Sequence, residues 1–158
     1  MYLRQSALRV RHNRCVDATR YRFIDHLDER RLADLHALYQ GEWWSNGRSL
    51  EQTQRVVAGS QRVFGITRID DDRLVGFARV LTDGVIKALI FDVIVAAGAR
   101  RQGLAGALMQ RIIDDPQLAA VRHVELYCRR ELMPYYERFG FRPGPPEVNF
   151  MRRETTAT

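Results

Sequence analysis

The chain predicts an α/β fold, and three observations carry that prediction. Strand-like apolar runs at 62–69, 74–82 and 85–95 are divided by the turns Asp70-Asp71-Asp72 and Asp83-Gly84. Leu32, Leu35, Leu38 and Tyr39 recur at helical spacing. The third observation is the β-branched run ending at Val95, which passes through the small-residue turn Ala96-Ala97-Gly98-Ala99 towards a helix that Gly103 opens.

In chain order, Tyr21–His26 reads as a first strand. Asp28 then caps a helix whose apolar pattern stops near Gly41. Ser49-x-x-Gln52 has the reciprocal capping spacing that starts a second helix. Three strands follow, over 62–69, 74–82 and from Val85 or Ile86 to Val95. Gly103–Asp114 is the helix after the turn, and Pro116 ends it. Val121–Tyr127 is a fifth strand and 133–139 a short helix closed by Gly140. Phe141 and Val148–Met151 supply closing strands around the bend made by Pro143, Pro145 and Pro146. The expected total is six to seven strands with about four helices.

A chain of 158 residues is sized for one domain. We expect that domain at 21–153, with a basic appendage at 1–20 and a tail at 154–158. No apolar run approaches the roughly 20 residues of a membrane span, and the first 20 residues lack the apolar centre of a secretory signal. No membrane association and a cytoplasmic location are the expectation. Cys15 and Cys128 have no ligand-like spacing, so free thiols and no metal are expected.

The net charge of +6 and the pI of about 9.9 invite a nucleic-acid reading. Lys87 is the only lysine among 25 basic residues, so the charge reflects a bias towards arginine throughout the chain. The arginines are scattered and no interleaved aromatic motif accompanies them, which leaves a solvated surface and no specific nucleic-acid partner.

The turn after Val95 has the composition of a phosphate cradle. Gly103, Ala105, Gly106 and Ala107 leave little bulk where a helix begins, so a diphosphate can approach unpaired N–H groups at the positive end of the helix dipole. Arg100 and Arg101 add positive charge. A dinucleotide fingerprint is excluded because Asp114 and Asp115 come too early to hold a ribose. A P-loop is excluded because no Gly-Lys-Ser/Thr follows.

The spacing Arg100-x-x-Gly103-x-Ala105 resembles the acyl-CoA signature of the GNAT superfamily of N-acetyltransferases. Tyr135-Tyr136-x-x-x-Gly140-Phe141 resembles the ending of the same fold, and between Phe64 and Phe141 the resemblance is nearly continuous. It implies a mixed central sheet, acetyl-CoA as co-substrate, and acetyl transfer to a primary amine, most simply of a small molecule, by direct attack in a ternary complex. A non-catalytic acyl-CoA sensor is the alternative, and a monomer or homodimer is expected. Trp44-x-x-x-Arg48-Ser49-Leu50 with Phe77–Asp83 further resembles a bacterial subgroup of uncharacterised GNAT proteins.

The resemblance also implies site roles. The Val93 N–H would polarise the thioester carbonyl, and the Val95 amide would hold the pantetheine arm. Arg100, Arg101, Gln102, Gly103, Leu104, Ala105 and Gly106 would cradle the phosphates, with Arg138 adding charge. Tyr136 would return a proton to the departing thiolate. Two departures stand out: Ala97 replaces a frequent proline, and Cys128-Arg129-Arg130 replaces a frequent asparagine that contacts the arm.

Removing the amine proton needs an acceptor, and four carboxylates are candidates. Asp92 is the first choice because it puts a charge inside a strand suited to burial. A buried ion pair to an arginine explains it equally well. Glu125, Glu42 and Asp83 are alternatives. For the amine pocket, Trp43, Trp44, Arg48 and Asp83 are the candidates. Adjacent tryptophans cannot share one face, so one should turn away from the core.

Overall fold

The computed structural model describes residues 16–154. Cys15, most of the expected basic appendage, and all of the expected tail but Glu154 lie outside the described residues. The chain forms two compact units, one through Tyr127 and one from Cys128.

The first unit is built on a five-stranded sheet in the order β1-β2-β3-β4-β5, with β1 at Tyr21–Ile24, β2 at Arg62–Arg68, β3 at Leu74–Thr82, β4 at Lys87–Val95 and β5 at His123–Leu126. The first four strands pair antiparallel, β2 to β3 and β3 to β4 through short turns and β1 to β2 across the connection that carries two helices. β5 pairs parallel to β4, as a helical crossover requires. The sheet is therefore mixed.

The helices start where their caps place them. The Asp28 carboxylate accepts from the Arg31 N–H and opens α1, Glu29–Gln40; both bonds of the Ser49–Gln52 capping box are made at α2, Leu50–Ala58. Gly103 opens α3, Leu104–Ile113. Its apolar stripe, Leu104, Leu108, Met109 and Ile112, is fully buried, and a Cβ on Gly76 of β3 would meet Leu108. Leu35 and Tyr39 of α1 pack with Leu74, Phe77 and Ile94. Phe77 thus belongs to the α1 packing and its neighbour Gly76 to that of α3, the alternation that a strand imposes. Leu74 joins Phe77 because the β2–β3 register shifts between Gly76 and Leu74. No helix among the described residues is long and apolar enough to cross a membrane.

The second unit contains a 3-10 turn at Arg130–Leu132 and the short helix α4, Met133–Glu137. Gly140 adopts φ +88°, the left-handed conformation that glycine enters without strain. The closing strands expected at Phe141 and Val148–Met151 are absent among the described residues, where the sheet has five strands instead of six to seven. Pro143, Pro145 and Pro146 each lack the N–H that a ladder needs.

Candidate active site: a bulged strand edge beside a glycine-started helix

The centre of the first unit's site is an irregularity in β4. Opposite β3, Phe77 pairs with Ile94 but Arg79 pairs with Phe91, so β4 holds one extra residue. Asp92 takes up that insertion with φ +56°, a conformation that aspartate enters more readily than most residues. On one side of the bulge Ile94 packs with Tyr39 of α1, and on the other the Arg79 guanidinium lies 4.7 Å from the Phe91 ring centre.

The bulge coincides with a parting of strands. The β4–β5 ladder ends at Ile90 and Leu126, while β4 runs on to Val95. The Ala96 N–H donates to Val75 O on the β3 side at 2.8 Å. N–H groups alternate along a strand, so those of Val95 and Val93 point the other way, towards the edge that β5 no longer covers.

The Asp92 carboxylate is buried at 6% exposure and takes three donors on Oδ2. Arg79 Nε donates at 2.5 Å, the Tyr39 hydroxyl at 2.8 Å, and Arg48 Nη1 approaches to 3.5 Å. Burial first, and the Asp92 charge second, hold the Tyr39 phenol well above its ordinary pKa, so it remains a donor. Arg48 also stacks over the Tyr39 ring, 4.2 Å from its centre. The geometry contains the buried ion pair, one of the two readings of Asp92.

The other candidate bases are also paired. Glu42 accepts from Arg100 Nη2 at 2.6 Å, and Glu125 accepts from Lys87 Nζ. Asp83 Oδ1 accepts the backbone N–H groups of Val85, Ile86 and Lys87 at 2.8, 2.8 and 3.0 Å. Those bonds, the one from Lys87 foremost, hold its carboxyl below the usual range. Asp83 shapes the β3–β4 turn.

The cradle follows directly from the strand edge. A short 3-10 turn, Ala97–Ala99, leads to two left-handed residues, Arg101 at φ +63° and Gly103 at φ +83°. Ala107 N donates to Gly103 O as the first turn of α3 closes, so the N–H groups of Leu104, Ala105 and Gly106 have no intrahelical acceptor. Leu104 is 1% exposed and offers a ligand only its backbone. Arg100 Nε donates to Val95 O at 3.1 Å, so with Glu42 it braces the loop. Gln102 Oε1 accepts from the Tyr21 hydroxyl at 2.7 Å. The exposed Arg101 has no acidic partner among the described residues.

Of the expected pocket residues, Trp43 is 69% exposed, while Trp44 packs edge-on against Tyr39. An open cavity of about 440 Å³ is lined by Trp44, Ser45, Asn46, Arg48, Gln52 and neighbouring residues. The sequence reading missed the parts of Tyr39 and Arg79. The available signal for Arg79 was its charge inside the apolar run 74–82, matching the opposite charge of Asp92 inside 85–95.

In the second unit, Tyr136 packs edge-on against Tyr135 and Phe141. Burial pushes its phenol up to about 12. The Arg138 guanidinium lies 5.6 Å from the Tyr135 ring centre.

Residues 29–141 match the acetyltransferase (GNAT) family model. GCN5-related N-acetyltransferase 1 of Arabidopsis thaliana, a chloroplastic protein, is 35% identical over 79 residues, which are 50% of this chain and 40% of that protein. Serotonin N-acetyltransferase 2 of Oryza sativa subsp. japonica, also chloroplastic, is 33% identical with the same coverages. The chain thus spans two fifths of the length of these two curated relatives. A Deinococcus radiodurans R1 crystal structure described as an acetyltransferase superposes with a TM-score of 0.72 at 28% identity, covering 89% of this chain and 92% of that one. With the family match extending over well over half of the sequence, the chain belongs to the GNAT acetyltransferase family.

Proposed function

We propose that this protein is an acetyl-CoA-dependent N-acetyltransferase that passes the acetyl group directly to a primary amine in a ternary complex. The observation that carries this reading is the uncovered edge of β4 at Val93 and Val95, leading into the unpaired N–H groups at the start of α3. The residues present fit an acyl-CoA. The Gly103 turn offers donors and the positive helix end to a diphosphate, Arg101 offers a cation, and the β4 edge offers strand-like bonds to an extended amide-bearing arm.

Acetyl transfer forms a bond from the amine nitrogen to the acyl carbon and breaks the bond from that carbon to sulfur. In this reading the Val93 N–H donates to the thioester oxygen as negative charge develops there. Tyr136, whose phenol is protonated at neutral pH and is pushed higher still by burial, gives its proton to the leaving thiolate. Asp92 acts as a positioning residue: its ion pair with Arg79 ties the bulge to β3 and so fixes the direction of the Val93 N–H. Asp92, Glu42, Glu125 and Asp83 all have bonded carboxylates, so the amine gives up its proton to solvent.

The test is free thiol release from acetyl-CoA across a panel of primary amines that includes serotonin. Amine-dependent release is the expected result. Acetyl-CoA binding without release from any amine would favour a sensor and overturn the transferase reading.

A further inference from the structure

We infer that the cavity beside Arg48 recognises an anionic group on the acceptor, so that the preferred substrate is an amine bearing a carboxylate or phosphate. This rests on the transferase reading for the identity of the ligand as an acceptor. The anion site itself rests on charge and donor count.

Arg48 and Arg79 bring two positive charges to the single negative charge of Asp92, at side-chain exposures of 20%, 10% and 6%. Arg79 holds Oδ2 at 2.5 Å, whereas Arg48 reaches the same oxygen at only 3.5 Å. Arg48 is thus the loosely held member of an over-cationic, part-buried cluster, and it lines the cavity. A cation withdrawn from water favours a counterion.

No acidic side chain among the described residues lines that cavity. The acid of the adjoining loop, Glu42, is paired with Arg100. Gln52, also in the lining, accepts the Ser49 N–H on its Oε1 in the capping box, which leaves the Nε2 donors for a ligand. The lining therefore offers the Gln52 Nε2 donors and one positive charge, beside Ser45 and Asn46, whose own side-chain donors are given to Tyr39 O and Gln40 O. A simple ammonium would be repelled, whereas an amine with an anionic group gains a charge-assisted bond.

The test uses the full chain saturated with CoA, with calorimetric titration of two ligand pairs that differ in the anion: β-alanine against β-alaninamide, and phosphoethanolamine against ethanolamine. At least one anionic member should bind about tenfold more tightly than its neutral partner, with affinity falling as salt rises. Arg48→Met should reduce that preference to near unity, and Arg48→Lys should retain part of it. The carboxylate and phosphate arms show which anion is read. Equal or tighter binding of both neutral members, no binding of either anionic member at millimolar concentration, or an unchanged preference in a folded Arg48→Met protein would each overturn the inference.

The same ligands assayed for thiol release separate the two proposals. Anion-selective binding with no release from any amine, these or the wider panel, would sink the transferase reading and leave the anion site standing without its acceptor role. Transfer to the neutral members without anion preference would sink this inference alone.

Discussion

Arg79 Nε on β3 donates to Asp92 Oδ2 on β4 at 2.5 Å, and Asp92 is the residue whose left-handed backbone forms the bulge. A side-chain bond therefore holds a backbone irregularity in place. Removing the carboxylate leaves the buried Arg79 guanidinium facing a void, so Asp92→Ala should cost about 3 kcal/mol or more of stability. Asp92→Asn should cost less, because asparagine also enters positive φ and keeps an acceptor for Tyr39 and Arg79. Urea unfolding of the three proteins would show the order wild type, Asn, Ala. An Ala variant as stable as wild type would mean that the pair does not hold the bulge.

With the candidate carboxylates bonded, the rising limb of kcat/KM with pH should report the acceptor amine's own deprotonation. Replacing an acceptor with another whose pKa is about two units lower should move that limb about two units to lower pH. A limb that stays fixed while the amine changes would instead reveal an enzyme base, with Asp92 the first residue to examine.

Tyr136→Phe keeps the ring against Tyr135 and Phe141 and removes only the hydroxyl. Turnover should fall by about 100-fold, the low end of general acid catalysis, with little change in acetyl-CoA affinity. The raised phenol also sets a pH effect on stability. Above the ordinary tyrosine pKa the unfolded chain ionises while the buried phenol resists, so its contribution is complete below about pH 10. It declines as pH rises towards the folded value of about 12. Tyr136→Phe should flatten part of the alkaline loss of thermal stability.

Gly103→Glu should abolish acetyl-CoA binding. The new side chain puts negative charge at the cradle, and φ +83° disfavours any residue with a Cβ. Circular dichroism checks folding and calorimetry reads affinity. Arg101→Ala, at a cation with no acidic partner among the described residues, should weaken binding several-fold in a salt-dependent way and leave the backbone donors working. A folded Gly103→Glu protein with wild-type affinity would remove the cradle from the proposal.

Asp83→Ala removes the acceptor of three turn N–H groups and should lower thermal stability while leaving acceptor KM unchanged. The Asp83 carboxyl is held below its ordinary range, so its contribution is present above the unfolded carboxylate pKa and is lost as pH falls through the folded one. Thermal melts between pH 7 and pH 3 should converge for wild type and variant at the acid end. A large rise in KM at neutral pH would return Asp83 to the acceptor pocket.

Local chemistry determined much of this protein from the sequence alone. The Asp28 cap, the Ser49–Gln52 capping box and the Gly103 helix start follow from side chains and backbone preferences that act within a few residues, so they were legible without a partner. The apolar residues Val148, Phe150 and Met151 suggested a closing strand that is absent among the described residues, because an apolar run becomes a strand only where a partner edge pairs with it. Only the tertiary structure decided the role of Asp92. Its partners Tyr39, Arg48 and Arg79 lie 53, 44 and 13 residues away, and no local spacing marks them as one cluster. The bulge was hidden for the same reason: an extra residue exists only relative to the strand opposite, and register is a property of the pair.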